Sequence, residues 1–131
     1  MHESEHDIQI ALFDFLALVQ YQIPETQFIL HVPNGEYRTK ATAARLKRMG
    51  VRPGVPDILI LVPANGYHGM TIELKKPGGR LSEHQERWAR ELITRDYYAI
   101  TCTDWQTAAA AILEYLGYRP EKYGLPKSVL K

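Results

Sequence analysis

Two acidic residues and a lysine interrupt apolar segments of the chain, and together they could perform chemistry. Asp57 opens the apolar run 58–62, and Glu73 and Lys75 lie near the end of a second run that begins at residue 70. Burying unpaired charge is costly, so charged side chains in such surroundings need partners. Glu73 and Lys75 are two residues apart, which on a strand places both on the same face. We therefore expect them to lie side by side.

The segment between the two runs is rich in turn-forming residues. Asn65-Gly66 favours a tight turn, so the runs are predicted to form a β-hairpin. Folding about this turn places Asp57 almost opposite Glu73, where paired residues are about 4.5–5.5 Å apart. Two carboxylates and one ammonium group would then meet in a small volume.

Two adjacent carboxylates repel each other, so one stays protonated at neutral pH unless a cation is present. Lys75 supplies one positive charge, whereas Mg²⁺ or Mn²⁺, which prefer oxygen ligands, would supply two. Such an ion can polarise a phosphoryl oxygen and activate a bound water. Lys75 could then position that water or stabilise charge in the transition state. The alternative is a structural ion pair at a strand end.

Two predicted helices carry polar side chains on their core-side stripes. One spans residues 4–21 and extends its stripe with Glu5 and Gln9, and the other begins at Ser82 and includes Gln85. Each position also has an ordinary explanation. Glu5 is a first-turn acid favoured by the helix dipole, and Gln85 completes a capping box with Ser82. We expect one side chain at position 85 to be unable to cap the helix and line a site fully at once.

A short basic helix is predicted over residues 40–49. Basic side chains exceed acidic ones between residues 36 and 52, which can attract phosphate although the net charge of the chain is only +1. The alternative is an ordinary solvated helix face. The candidate nucleic-acid-binding residues are Arg38, Lys40, Arg45, Lys47, Arg48 and Arg52.

Length and composition indicate one globular domain. The chain has 131 residues, and we expect the domain to span residues 1–117 and a C-terminal tail to span residues 118–131. A single cysteine, Cys102, excludes an internal disulfide and favours a reducing compartment. The N-terminus is acidic rather than signal-like, and no apolar run is long enough to span a membrane. We expect a soluble, cytoplasmic protein that does not bind membranes.

The predicted elements follow the order α-β-α-β-β-α-β-α. A hairpin combined with strands separated by helices predicts an α/β fold with a mixed sheet flanked by helices. The apolar last helix, residues 104–116, and the segment after it are candidates for a surface that contacts a second copy of the chain.

The ordered set of motifs resembles the PD-(D/E)XK nucleases, and more narrowly the VRR-NUC (virus-type replication-repair nuclease) group. The resemblance covers roughly residues 3–116. Its motifs are Glu5-x-x-Ile8-Gln9, Asn34-Gly35, Gly50-x-x-x-Gly54-Val55-Pro56-Asp57, Glu73-Leu74-Lys75 and Leu81-Ser82-x-x-Gln85.

The resemblance implies a restriction-endonuclease-like core and hydrolysis of DNA phosphodiester bonds with Mg²⁺ or Mn²⁺. It implies metal ligation by Asp57 and Glu73, a water-orienting or charge-stabilising role for Lys75, and supporting roles for Glu5 and Gln85. Free-standing members of the group are similar to Holliday-junction resolvases and tend to form homodimers, which suits paired cuts on branched DNA. The alternative is a nucleic-acid-binding or assembly protein on the same fold with little turnover.

Overall fold

The computed structural model describes residues 4–33 and 39–127. Its helices and strands are, in chain order, α1 (Glu5–Val19), β1 (Ile29–His31), α2 (Lys40–Arg48), β2 (Ile58–Ile60), β3 (Met70–Leu74), α3 (Glu83–Thr94), β4 (Tyr98–Cys102) and α4 (Trp105–Leu116). Two short 3-10 helices, η1 (Pro24–Phe28) and η2 (Pro120–Tyr123), are also present. This is the mixed α/β architecture predicted from the sequence. Within the described residues, every helix is too short or too polar to cross a bilayer.

The four strands form one sheet in the order β1-β2-β3-β4. The first two pairings are antiparallel, and β3 pairs with β4 in parallel. The β2–β3 hairpin turns at Asn65 and Gly66, which have φ values of 54° and 84°. Ala64 and Tyr67 close the turn with backbone hydrogen bonds of 2.8 and 3.2 Å. Positive φ at both central residues is the conformation that Asn-Gly favours in a two-residue hairpin, so the predicted turn is confirmed.

The main core lies between one face of the sheet and two helices. Ile58, Ile60 and Ile72 point to this face, where α1 and α4 pack against each other. The apolar stripe of α1 is buried, as its helical spacing predicted. In α4 the residues 108–113 are all buried, because small alanines let the helix approach its neighbours closely. The apolar surface of α4 is therefore used inside the chain.

Helix α3 packs against the sheet and approaches its opposite face. Glu73 alternates with Ile72 and Leu74, so its side chain points away from the main core. There it meets Gln85 in the first turn of α3. Because β3 is covered on both faces, all five of its residues are buried.

The first strand is shorter than predicted. The sequence predicts a strand over residues 27–32, whereas β1 begins at Ile29 and follows η1. Pro24 fixes the first turn of η1, and the Thr26 hydroxyl donates to the Ile23 carbonyl at 2.8 Å. Local side-chain hydrogen bonds of this kind compete with strand pairing at residues 27 and 28. Because β1 also ends at His31, the strand prediction was wrong for residues 27, 28 and 32.

The segment after α4 packs against the rest of the chain. Pro120 and Leu125 are buried, and the Tyr118 hydroxyl donates to the Glu25 carboxylate at 2.8 Å. The packed structure therefore continues beyond Gly117 to at least Leu125.

Candidate active site

The register of the hairpin places Asp57 across from Glu73. Ile58 pairs with Ile72, so the residue before Ile58 lies opposite the residue after Ile72. The two carboxyl groups are close enough for Asp57 to raise the pKa of Glu73. The position predicted from the turn is confirmed, and the two acids share one end of the β2–β3 ladder.

Glu73 lies in surroundings that disfavour its charged form. Its side chain is only 7% exposed. Burial, followed by the hydrogen bond and the negative charge of Asp57, raises the pKa of Glu73 to about 9. Lys75 acts in the opposite direction, and Glu5 adds a smaller upward effect. The single positive charge of Lys75 therefore does not balance the negative charge of the neighbouring carboxylates. A divalent cation would be bound most favourably under this condition, because it supplies the missing positive charge.

Backbone contacts hold Asp57 in place. Its Oδ2 accepts a hydrogen bond from the Leu74 N–H at 2.9 Å. Its carbonyl oxygen accepts from the Val32 N–H at 2.7 Å and lies 2.9 Å from His31 Nδ1. Asp57 is therefore fixed by both neighbouring strands, with its carboxylate turned toward Glu73.

His31 is a site residue that sequence reasoning missed. A carbonyl oxygen can only accept, so its contact with Asp57 requires a proton on His31 Nδ1. The available signal was the place of His31 at the end of a strand that flanks the hairpin. The sequence did not predict which strand would pair beside Asp57, so His31 could not be assigned to the site.

Gln85 serves both purposes that the sequence left open. Its Oε1 accepts from the Ser82 N–H at 2.8 Å, while the Ser82 hydroxyl accepts from the Gln85 N–H at 3.2 Å, which forms a capping box. Its Nε2 donates to Glu73 Oε2 at 3.2 Å. The expectation that one side chain could not do both was wrong, because the amide uses its oxygen for the cap and its nitrogen for Glu73.

Glu5 and Lys75 lie at the border of the carboxylate pair. Glu5 is in the first turn of α1, half-buried, and its Oε2 accepts from the Lys76 N–H at 3.4 Å. Lys75 is also half-buried and close enough to Glu73 to lower its pKa. The next residue, Lys76, is exposed. The structure thus brings together four predicted residues around Glu73, namely Asp57, Lys75, Glu5 and Gln85.

Magnesium or manganese fits this set of donors. Within residues 4–33 and 39–127, no three His, Cys, Asp or Glu side chains form a group that could hold a metal ion. Two carboxylates are nevertheless sufficient for Mg²⁺, which keeps several waters and is commonly bound by one or two acidic side chains. The raised pKa of Glu73 supports the same conclusion, because the carboxylate pair lacks a matching positive charge.

The predicted basic residues that the structure describes are exposed, and two of them line a cavity that reaches the site. Arg38 lies outside the described residues. Lys40, Arg45, Lys47 and Arg48 of α2, and Arg52 after it, are all exposed, and α2 buries no residue at all. Lys47 and Arg52 line a cavity of about 440 Å³ that also reaches Gln85, whereas the other three described residues do not line it.

The loop between α2 and β2 is fixed against α3 by two contacts. The Trp88 indole N–H donates to the Pro53 carbonyl at 2.9 Å. Gly54, with a φ of +87°, lies so close to His84 that an added Cβ would be 2.5 Å from the His84 backbone carbon. Glycine is required there for space as well as for φ. The loop therefore holds Arg52 at a defined position on α3.

Comparison with known proteins places the chain in a class of nuclease-type folds. A solved structure described as "VRR_NUC domain protein" is similar to it with a TM-score of 0.73 and 26% sequence identity, over 88% of this chain and 90% of that chain. The model of the VRR-NUC domain family matches residues 14–105, which is more than half of the chain. The chain belongs to the VRR-NUC family. A comparison with curated proteins gave no match.

Proposed function

We propose that this protein is a metal-dependent DNA endonuclease that hydrolyses phosphodiester bonds at the Asp57–Glu73 pair. The observation that carries the proposal is the position of Asp57 and Glu73 across from each other at one end of the β2–β3 ladder, with Gln85 donating to Glu73, and the raised pKa of Glu73 supports it. A buried acid, Glu73, beside the half-buried acid Asp57 destabilises the metal-free site. A cation at this position relieves that repulsion, and membership in the VRR-NUC family supports a nuclease over other metal-dependent functions.

Asp57 and Glu73 would hold Mg²⁺ or Mn²⁺, which supplies Lewis-acid stabilisation and a more acidic bound water. Gln85 orients the Glu73 carboxylate by donating to one of its oxygens, and the Leu74 N–H does the same for Asp57. Lys75 lies on the face of β3 that carries Glu73, where its ammonium group orients the attacking water or stabilises charge on the phosphate. Glu5 contributes negative charge at the border of the site.

DNA is the substrate class, and branched DNA such as a Holliday junction is the proposed target. Lys47 and Arg52 line the cavity that reaches Gln85, and the other exposed basic side chains of α2 add attraction to phosphates. A two-fold homodimer would place one site on each of two strands, which suits paired cuts at a junction. Large apolar side chains remain exposed at one end of the β1–β2 pair, where Phe28 is 52% and Leu61 is 62% exposed, and they offer a surface for a second copy.

The proposal is tested by incubating the protein with a four-way junction, a splayed arm, a flap and a linear duplex in Mg²⁺, in Mn²⁺ and in EDTA. We expect metal-dependent cuts in the four-way junction, none in EDTA, and none from the Asp57→Asn variant. A solution mass measurement checks the homodimer. If none of the four substrates is cut with either metal, the proposed nuclease activity is overturned and a binding or assembly protein is favoured. The fold alone does not distinguish a nuclease from such a protein.

A further inference from the structure

A second cavity lies along α3, and neither Asp57 nor Glu73 lines it. Its volume is about 450 Å³, and we call it the α3 groove. The side chains of Pro53 and Trp88 give it apolar and aromatic surface, and two arginines add positive charge. It is lined by Arg52, Pro53, His84, Arg87, Trp88 and Glu91.

The α3 groove is preformed rather than dependent on a ligand for its shape. The Trp88 indole N–H is held by the Pro53 carbonyl at 2.9 Å, and Gly54 lies in close contact with the His84 backbone. These contacts join the loop to the helix along one wall of the groove. A site that is already ordered loses less conformational entropy when a ligand binds.

The charge in the α3 groove favours an anion. Its acidic member, Glu91, is already paired with Arg95 at 3.0 Å. Arg52 and Arg87 have no carboxylate partner within the described residues. An arginine guanidinium can bind phosphate through two parallel hydrogen bonds, and an aromatic ring offers a surface for base stacking.

A neighbouring cavity connects the α3 groove to Gln85 at the carboxylate site. The neighbouring cavity of about 440 Å³ shares Arg52, Pro53 and His84 with it and ends at Gln85, which contacts Glu73. From Gln85 to Glu91 the helix rises by about 9 Å. That distance accommodates a short run of nucleotides next to the reacting phosphate.

We propose that the α3 groove binds an unpaired nucleotide of the DNA strand that enters the carboxylate site. Its phosphate lies between Arg52 and Arg87, and its base and sugar lie against Trp88 and Pro53. The proposal rests on the proposed nuclease function and specifies its substrate further, because a nucleotide at the branch point, beside the cut, is unpaired when its strand enters the α3 groove.

The test measures DNA binding in the full-length Lys75→Ala protein, to which Arg87→Glu or Arg90→Glu is added. Arg90 is an exposed arginine on the same helix that does not line the α3 groove, so it controls for the change in net charge. The probe is fluorescein-labelled oligothymidylate, and binding is followed by anisotropy across a salt series. We expect Arg87→Glu to weaken binding about tenfold and to reduce the salt slope by about 0.7, whereas Arg90→Glu stays near the parent protein.

A second measurement reports on the base directly. The chain has two tryptophans, so Trp105→Phe in the Lys75→Ala protein leaves Trp88 as the sole indole. We expect oligothymidylate to quench the Trp88 fluorescence over the same concentration range in which the anisotropy rises.

Equal effects of Arg87→Glu and Arg90→Glu would overturn the assignment of the α3 groove, as would unchanged Trp88 fluorescence at saturating oligothymidylate. If an intact duplex binds as tightly as oligothymidylate, with the same dependence on Arg87, the proposal that the α3 groove binds an unpaired nucleotide is overturned. Failure of the nuclease function is distinguishable, because the wild-type protein would then cut no substrate while Arg87-dependent binding persisted. If the wild type cleaves DNA but oligothymidylate binding does not depend on Arg87, the nuclease function is supported and the role of the α3 groove is overturned.

Discussion

The Gln85 side-chain amide donates to the Glu73 carboxylate at 3.2 Å while its oxygen accepts from the Ser82 backbone at 2.8 Å. One residue therefore fixes both the start of α3 and the orientation of a buried acid. Because α3 also carries the groove, the cap sets the geometry between the candidate metal ligands and the groove. A stabilising motif of the helix is thereby part of the site.

The two roles of Gln85 can be separated by a pair of substitutions. Gln85→Glu keeps an oxygen that can accept from the Ser82 N–H, but it removes the donor to Glu73 and adds a negative charge. Gln85→Ala removes both. We expect Gln85→Ala to lower the free energy of unfolding by about 1 kcal/mol and Gln85→Glu to lower it by less.

Cleavage is the second readout for this pair. Both variants are expected to lose activity by about tenfold or more, because Glu73 loses its orienting hydrogen bond in each. Urea denaturation and a cleavage assay on the same preparations check the two effects. Full cleavage by Gln85→Glu would show that the contact with Glu73 has no part in the reaction.

Replacing Glu73 is expected to stabilise the metal-free protein in a pH-dependent way. In the folded protein the pKa of Glu73 is raised from 4.5 to about 9. The neutral form of Glu73 is therefore favoured in the folded protein. The stability that it contributes is fully present below pH 4.5 and is lost as the pH rises toward 9. Glu73→Gln is neutral throughout, so its advantage over the wild type should grow over this range to roughly 2–4 kcal/mol at pH 8.

Urea denaturation in EDTA at several pH values measures this advantage, with Glu86→Gln, an exposed acid of α3, as the control. Excess Mg²⁺ should reduce the advantage, because only the wild type gains stability from binding the ion at both carboxylates. An advantage that is equal at pH 5 and pH 8 would contradict the raised pKa.

Lys75 and Lys76 form a natural pair for testing the role of charge at the site. Lys75 is half-buried near Glu73, whereas Lys76 is exposed. Lys75→Met keeps most of the side-chain volume and removes the charge. We expect it to reduce the cleavage rate by about 10²–10³-fold with DNA affinity largely unchanged.

Lys76→Met should retain nearly full activity. Single-turnover cleavage and anisotropy on the same junction separate the rate from the affinity. Comparable activity of the two variants would show that the charge of Lys75 has no part in the reaction.

The sequence was most informative where local rules decide the structure. Asn65-Gly66 specified the hairpin turn, and the turn then fixed Asp57 opposite Glu73. Helical periodicity likewise identified the buried stripe of α1. Turn chemistry and periodicity act over a few residues, so they can be read without knowing the fold.

The sequence was least informative where distant segments meet. The contact of His31 with Asp57 depends on which strand pairs beside β2, and the fit of Gly54 against His84 depends on how a loop packs on α3. No local pattern encodes either contact. The same limitation explains why Arg87 was not recognised as lining a groove, because its helix reads as an ordinary amphipathic one.

Charge reversal on α2 tests its part in DNA binding. Arg45, Lys47 and Arg48 are exposed, and α2 has no buried residue, so the triple substitution to glutamate should leave the fold intact. We expect weaker binding of a four-way junction and a salt slope smaller in magnitude by about 2–3. Reversal of Arg119, Lys122 and Lys127, which lie beyond α4, is the control of equal charge change. An unchanged slope for the α2 variant would remove this helix from the DNA-binding surface.

Gly54 and Gly50 test whether the packing of the loop on α3 matters for function. Both glycines have positive φ, +87° and +105°, so alanine is strained at either position. Only Gly54 also meets the backbone of His84, at 2.5 Å from an added Cβ, whereas Gly50 has nothing within 4 Å. A clash with backbone cannot be relieved by rotating a side chain, so Gly54→Ala must displace the loop that carries Arg52.

We expect Gly54→Ala to cost roughly 1–3 kcal/mol more in unfolding free energy than Gly50→Ala, and to weaken DNA binding as well. Thermal denaturation and junction binding of the two variants check this, and equal losses would show that the loop does not depend on its contact with α3.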